Sequence, residues 1–453
     1  MGKKAGGKST DGGSSCPRRC KEATEPFRFC GITTGSADRI TVRNHLLALV
    51  GLSVIVKICV LFATVFIFNS FIDTFDHQYY LQNFINVIDG KIPYVDFGFD
   101  YPPLAFLPIA LAFVPALIFN NAGVFILSFQ ILMIFCDAVI VACVYLIGLK
   151  MFPEKTAFMA GILYATAFAG AYFVLTKYDA FPTALMMISI LLTVYRRPTE
   201  GYIVATTGAL AKIYPAVALP FMVLFNSGAT TLKKEICSIL KIFVPLVVIL
   251  GIPILVFRPS IITTYIEGSL VRTDVYVNTA TNTLSVFFNT ILHMNIPASL
   301  VSIVMYGLMA MVLLLLLLYA WIVRNQKEKT LIKMMALALF VIVFCMKYHS
   351  PQYILWFLPL ICLLVADSLA GIACFYLAQI VAYIEFPLAF GTLYVNTNYV
   401  STAGTPGWYL AWIFFAVESI LFLALMYLAI RPSRGHINKI LIFFEIGRKA
   451  DSS

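Results

Sequence analysis

Apolar runs of roughly 17 to 25 residues recur from Leu46 to Ile430, each long enough to cross a lipid bilayer as one α-helix. An outer-membrane barrel would show alternating segments of about ten residues instead. With 61% hydrophobic residues, 12% charged residues and a mean hydropathy of +0.90, the chain could not hide its apolar surface in a water-soluble core. The expected fold is all-α: a polytopic membrane helix bundle.

The net charge of +10 follows from that topology, because membrane proteins gather Lys and Arg in cytoplasmic loops. No RNA or DNA motif accompanies it, so nucleic acid is not an expected partner. Residues 1–44 are rich in Gly, Ser, Lys and Arg and lack an apolar signal segment, which predicts a disordered, basic cytoplasmic tail. Cys16-Pro-Arg-Arg-Cys20 has half the ligand spacing of a zinc site, with no second pair or His to complete it, and no metal is assigned there. The cysteines outside the tail fall in or beside apolar segments, away from the outer loops where disulfides form.

Residues 45–431 form the expected transmembrane domain, and residues 432–453 a cytoplasmic C-terminal tail. Leu46–Phe68 runs outward, which places residues 70–123 on the outer face. Pro102–Phe119 looks long enough to cross, but then Lys150, Lys155, Arg196 and Arg197 would all fall outside. Laying it along the outer interface puts every later basic cluster inside. The remaining apolar segments bring the total to about twelve spans with both termini cytoplasmic. The membrane is the plasma membrane of a prokaryote or the endoplasmic reticulum.

Charge is scarce in this chain, yet Asp73, Asp76, Asp89, Asp96 and Asp100 crowd the first outer loop. An ionised carboxylate at a membrane surface can take the proton from an acceptor hydroxyl as it attacks a sugar C1. Asp76, followed by Tyr79 and Tyr80, is the first candidate for that base, and Asp100, before Tyr101-Pro102-Pro103, the second. Asp100 is equally well placed to cap the helix that the prolines begin. The turns Lys177-Tyr178-Asp179, Lys212-Ile213-Tyr214-Pro215 and Lys347-Tyr348-His349-Ser350-Pro351-Gln352-Tyr353 fall on the same outer face. Lys177, Lys212, Lys347 and His349 there, joined by Arg272 and Arg258, make a candidate phosphate site; the alternative is Lys snorkelling to water. Tyr80, Tyr101, Asp179, Tyr214 and Gln352 are candidate substrate-positioning residues. Lys57 and Asp137 lie at mid-span, where an unpaired charge is expensive, so they are expected to pair as structural glue.

In order and spacing, Asp76 with Gly90-Lys91-Ile92-Pro93-Tyr94, Tyr101-Pro102-Pro103-Leu104, Tyr178-Asp179, Lys212-Ile213-Tyr214-Pro215 with Leu219-Pro220, and Ser350-Pro351-Gln352-Tyr353 resemble the GT-C class of membrane glycosyltransferases. The resemblance is to polyprenol- or dolichol-phosphate-mannose-dependent mannosyltransferases, both the prokaryotic family and the glycosylphosphatidylinositol mannosyltransferase I type. It implies a GT-C-like fold with an outward-facing site and an acidic base in the first outer loop. It further implies inverting transfer of a hexose, mannose above all, from a lipid phosphate to a lipid- or glycan-linked acceptor. Partners are then the lipid-linked sugar donor, the acceptor and membrane lipids. Close eukaryotic relatives carry a DxD pair in this loop; its second Asp matches Asp76 but its first falls on Thr74, and Asp73 is one residue out of register. A divalent cation thus stays open as a cofactor without a chelating pair to hold it. The rival readings are a transporter or lipid flippase, which would show internal repeats and midplane polarity, and a non-catalytic subunit of a glycosylation complex.

Overall fold

The computed structural model of the chain describes residues 26–29, 32–68, 75–257, 275–323, 327–389 and 406–431. These form a polytopic bundle of helices, as the apolar runs require. The part of the N-terminal stretch that is described differs from the disorder expected of it. β1 (Pro26–Phe29) and β2 (Ile32–Asp38) pair antiparallel, in keeping with the β-branched Ile32-Thr33-Thr34.

Asp38 then caps the first helix, accepting from the Thr41 amide at 2.9 Å. As a result α1 (Arg39–Phe62) begins before the apolar run at Leu46. The outer loop contributes α2 (Phe75–Ile88), which Gly90 terminates with a φ of +81°. A 3-10 turn at Pro103–Ala105 leads into α3 (Phe106–Phe119), closed by Asn120 in the left-handed region. At 17 residues from Pro103 to Phe119 this segment is at the lower limit of length for a crossing helix. Ile109, Ala112, Phe113 and Ala116 face the bundle, while Leu107, Leu111, Val114 and Ile118 are exposed, the two-sided apolar character of a helix lying along the bundle.

Next come α4 (Ala122–Met151), α5 (Glu154–Ala165), α6 (Phe168–Thr176), α7 (Ala180–Val194), α8 (Pro198–Ala211), α9 (Ala218–Ser227) and α10 (Leu232–Phe257). A short α11 (Ala280–Val286) precedes α12 (Ala298–Ile322), α13 (Glu328–Cys345), α14 (Ile354–Val365), α15 (Leu369–Tyr383) and α16 (Pro406–Ile430). Among the described residues, five helices are long and apolar enough to cross alone, six if the α5–α6 pair, bent by 55°, counts as one span. The expected count of about twelve spans divides differently in the structure. Several of the segments counted there, such as α7 and α14, are apolar helices of 10–17 residues that pack inside the bundle.

Two features join the first helices. A side chain on Gly161 of α5 would meet Leu49 of α1 at 2.6 Å, so glycine permits that close approach. Inside the bundle Lys57 Nζ lies 2.8 Å from Asp137 Oδ2, which brings the two isolated charges of α1 and α4 together. Ser53 donates to the same oxygen, Tyr164 donates to Asp137 Oδ1 at 3.0 Å, and Lys57 also reaches Ser53 Oγ at 2.8 Å. The pair is buried and each member has a hydrogen-bond partner besides the other, the condition under which a buried ion pair is tolerated.

Candidate active site

Helix ends, not helix interiors, carry the polar groups of the site. Asp76 sits in the first turn of α2, where a carboxylate is favoured by the helix dipole. Lys177 ends α6 in extended geometry, Asp179 opens α7, and Lys212 ends α8, again extended. Each turn places a long side chain at the same end of the bundle.

There the charges pair. Lys177 Nζ lies 2.8 Å from Asp76 Oδ2, with both side chains largely buried. Lys212 Nζ lies 2.7 Å from Asp179 Oδ1, which also accepts from Trp356 Nε1 at 2.7 Å. Two of the lysines expected to meet a phosphate, Lys177 and Lys212, are therefore engaged by carboxylates, because a buried cation without a counter-charge is costly. Tyr80 donates to Asp76 Oδ2 at 3.4 Å.

An aromatic shell joins the two ion pairs. Tyr101 lies 4.9 Å from Tyr178 and 6.3 Å from Tyr80, centroid to centroid. The Lys212 ammonium stands 4.8 Å from the Tyr178 ring, 5.7 Å from Tyr101 and 5.6 Å from Trp356, within cation–π range of all three. Tyr214 stacks on Trp356 at 4.3 Å with planes 7° apart, and its hydroxyl bonds with Thr183. Tyr353 packs on the indole at 4.1 Å.

Other expected residues sit differently. Asp100 is exposed and does not cap the following helix: Pro102 holds the N-cap position without a side-chain bond, and the Asp100 amide donates to the Tyr79 hydroxyl at 3.1 Å. Burial, with Asp100 nearby, pushes the Tyr79 phenol up to about 12. Asp96 accepts from the Ile92 amide at 2.7 Å, which makes it a turn-forming residue. Lys347 is buried beside the Tyr348 ring, and its carbonyl accepts from the Tyr276 amide. His349 packs against Tyr353 and Phe415 and lines a cavity of about 40 Å³ with Glu418. Burial pulls its imidazole down to about 4, which favours the neutral ring at neutral pH. Gln352 accepts from Ser350 Oγ. Arg258, Arg272, Asp73 and Thr74 lie outside the described residues.

Sequence reasoning missed Trp356 as a member of the site, and named Tyr178 only within its turn, without a role. Trp356 stands three residues after Tyr353, so both fall on one side of the helix start, and that spacing was the available signal. Among the described residues no three His, Cys, Asp or Glu side chains gather at one point.

Comparison with known families adds an independent line. The profile of glycosyltransferase family 87 matches residues 99–346, more than half of the chain. Asp100, Tyr101, Lys177, Asp179, Lys212 and Tyr214 fall inside that match, whereas Asp76, Lys347, His349 and Trp356 flank it. Comparison with curated proteins returns no match. On the family match, and with a bundle whose apolar helices are those of a membrane protein, the chain belongs to glycosyltransferase family 87 and is a membrane glycosyltransferase using a sugar donor and an acceptor.

Proposed function

We propose that this glycosyltransferase moves a hexose, mannose as first candidate, from a polyprenyl- or dolichyl-phosphate donor to a lipid- or glycan-linked acceptor. The reaction takes place on the outer or lumenal face. The observation that carries the proposal is the meeting of Asp76–Lys177 and Asp179–Lys212 at one end of the bundle. Two carboxylates and two ammonium groups held side by side support a reading in which one carboxylate is the base and the lysines meet a phosphate.

In this reading Asp76 accepts the proton of the acceptor hydroxyl as its oxygen attacks C1. The new C1–O bond forms on the face opposite the C1–O–phosphate bond, which breaks, so the configuration inverts. The lipid phosphate keeps the bonding electron pair and leaves as an anion, needing no proton. Lys177 favours the ionised form of Asp76 that a base requires. Lys212 supplies positive charge to the departing phosphate.

The test is Asp76→Asn in membranes, read as lipid-linked glycan product by mass spectrometry. Loss of at least about a hundredfold in product, with expression intact, is expected for removal of a general base. Full activity would remove Asp76 from the mechanism. Continued transfer in the Asp76→Asn, Asp100→Asn double variant would point instead to a non-catalytic subunit.

A further inference from the structure

Asp179 has two donors on one oxygen, and only one of them is a charge. Lys212 Nζ and Trp356 Nε1 both lie 2.7 Å from Oδ1. The carboxylate is sealed in, at 1% exposed, while the Lys212 side chain retains 14% exposure and is the member of the pair that reaches outward. The indole cannot easily turn away, because Tyr214 stacks on one side and Tyr353 packs against it.

We propose that Trp356 is a positioning residue: it keeps Asp179 satisfied while Lys212 turns from that carboxylate to the phosphate of the lipid-linked donor. This rests on the reading of Lys212 as a donor-phosphate group. For the ammonium, moving from carboxylate to phosphate exchanges one charge-assisted hydrogen bond for another. The barrier lies with the partner left behind, since a buried carboxylate stripped of its donors is heavily penalised. Trp356 Nε1–H offsets part of that penalty by staying in place, as one hydrogen bond to a charged group. The rings of Tyr101, Tyr178 and Trp356 surround the ammonium and hold it by cation–π attraction through the change of partner. Trp356 thus acts on the donor through Asp179 and Lys212, without touching the reacting atoms.

Trp356→Phe keeps an aromatic ring between Tyr214 and Tyr353 and deletes the N–H. The experiment uses the full-length protein in nanodiscs, with dolichyl phosphate as the binding probe and dolichyl-phosphate-mannose as donor. For Trp356→Phe, the KM for donor and the Kd for dolichyl phosphate are expected to rise about tenfold, the loss of one hydrogen bond to a charged group, with kcat changing less than about twofold. Adding Asp179→Asn to that variant is expected to restore binding, because a neutral amide no longer competes for Lys212. Unchanged KM and Kd in Trp356→Phe overturn the inference. So does a fall in kcat and binding that Asp179→Asn leaves unrepaired, the pattern of a merely structural residue. A wild-type protein that neither binds dolichyl phosphate nor transfers from its mannosyl form contradicts the proposed donor itself. A wild type that does both, with Trp356→Phe equal to it, contradicts only the role of Trp356.

Discussion

Asp76 and Lys177 stand 2.8 Å apart with both side chains largely buried, so each offsets the other's charge. His349, in the turn after α13, behaves in the opposite way: burial between Tyr353 and Phe415 holds its ring neutral. Its pKa falls from the ordinary 6.5 to about 4, so below 6.5 the unfolded chain takes up a proton that the folded chain refuses. Stability is therefore expected to drop as pH falls from 6.5 towards 4, and to depend on His349 no further below that. Glu418 lines the same cavity and Lys347 lies two residues away, so the comparison that isolates the imidazole is with His349→Asn. Thermal midpoints in detergent between pH 7.5 and 4.5 should fall less steeply for His349→Asn than for the wild type. Parallel slopes would mean that the ring is not held neutral by the fold.

Helices α1, α4 and α5 are joined by one buried polar cluster, Lys57–Asp137 with Ser53 and Tyr164. Lys57→Met leaves Asp137 charged and enclosed, and is expected to cost about 3–5 kcal/mol of stability. The double variant Lys57→Met, Asp137→Leu should recover most of that loss, because the stranded charge is gone; unfolding in detergent checks both. Equal stability of the single variant and the wild type would show that water reaches the cluster. This pairing was legible from sequence for a simple reason: two isolated charges at mid-span have few partners other than each other. The pairs Asp76–Lys177 and Asp179–Lys212 were not, since at helix ends several charges of either sign lie close enough along the chain to be partners. Sequence identified the turns that bear them but not which charge meets which. The bend between α5 and α6 was hidden as well, because apolar composition runs unbroken through Thr166-Ala167 while the axis turns by 55°.

On the scale of the whole molecule, apolar runs made the helical bundle readable. How many of them cross was not, because α7, α9 and α14 are as apolar as the long helices but shorter. Hydropathy reports the solvent of a segment, and a short helix enclosed by other helices has the same apolar surroundings as one in lipid. The candidate site is the end of the bundle where the chain repeatedly turns on a lysine. The family match covers the turns at Lys177 and Lys212 and stops just short of the one at Lys347. It begins after Asp76, so the base is the part of the account that most needs a direct trial. That trial is sugar transfer by the purified protein in liposomes with dolichyl-phosphate-mannose as the sole donor, comparing wild type with Asp76→Asn and analysing the product by mass spectrometry. The account predicts a mannosylated acceptor with the wild type and none above background with Asp76→Asn, while both bind dolichyl phosphate. Transfer by Asp76→Asn at the wild-type rate, or transfer by the wild type only from a nucleotide sugar, would contradict it.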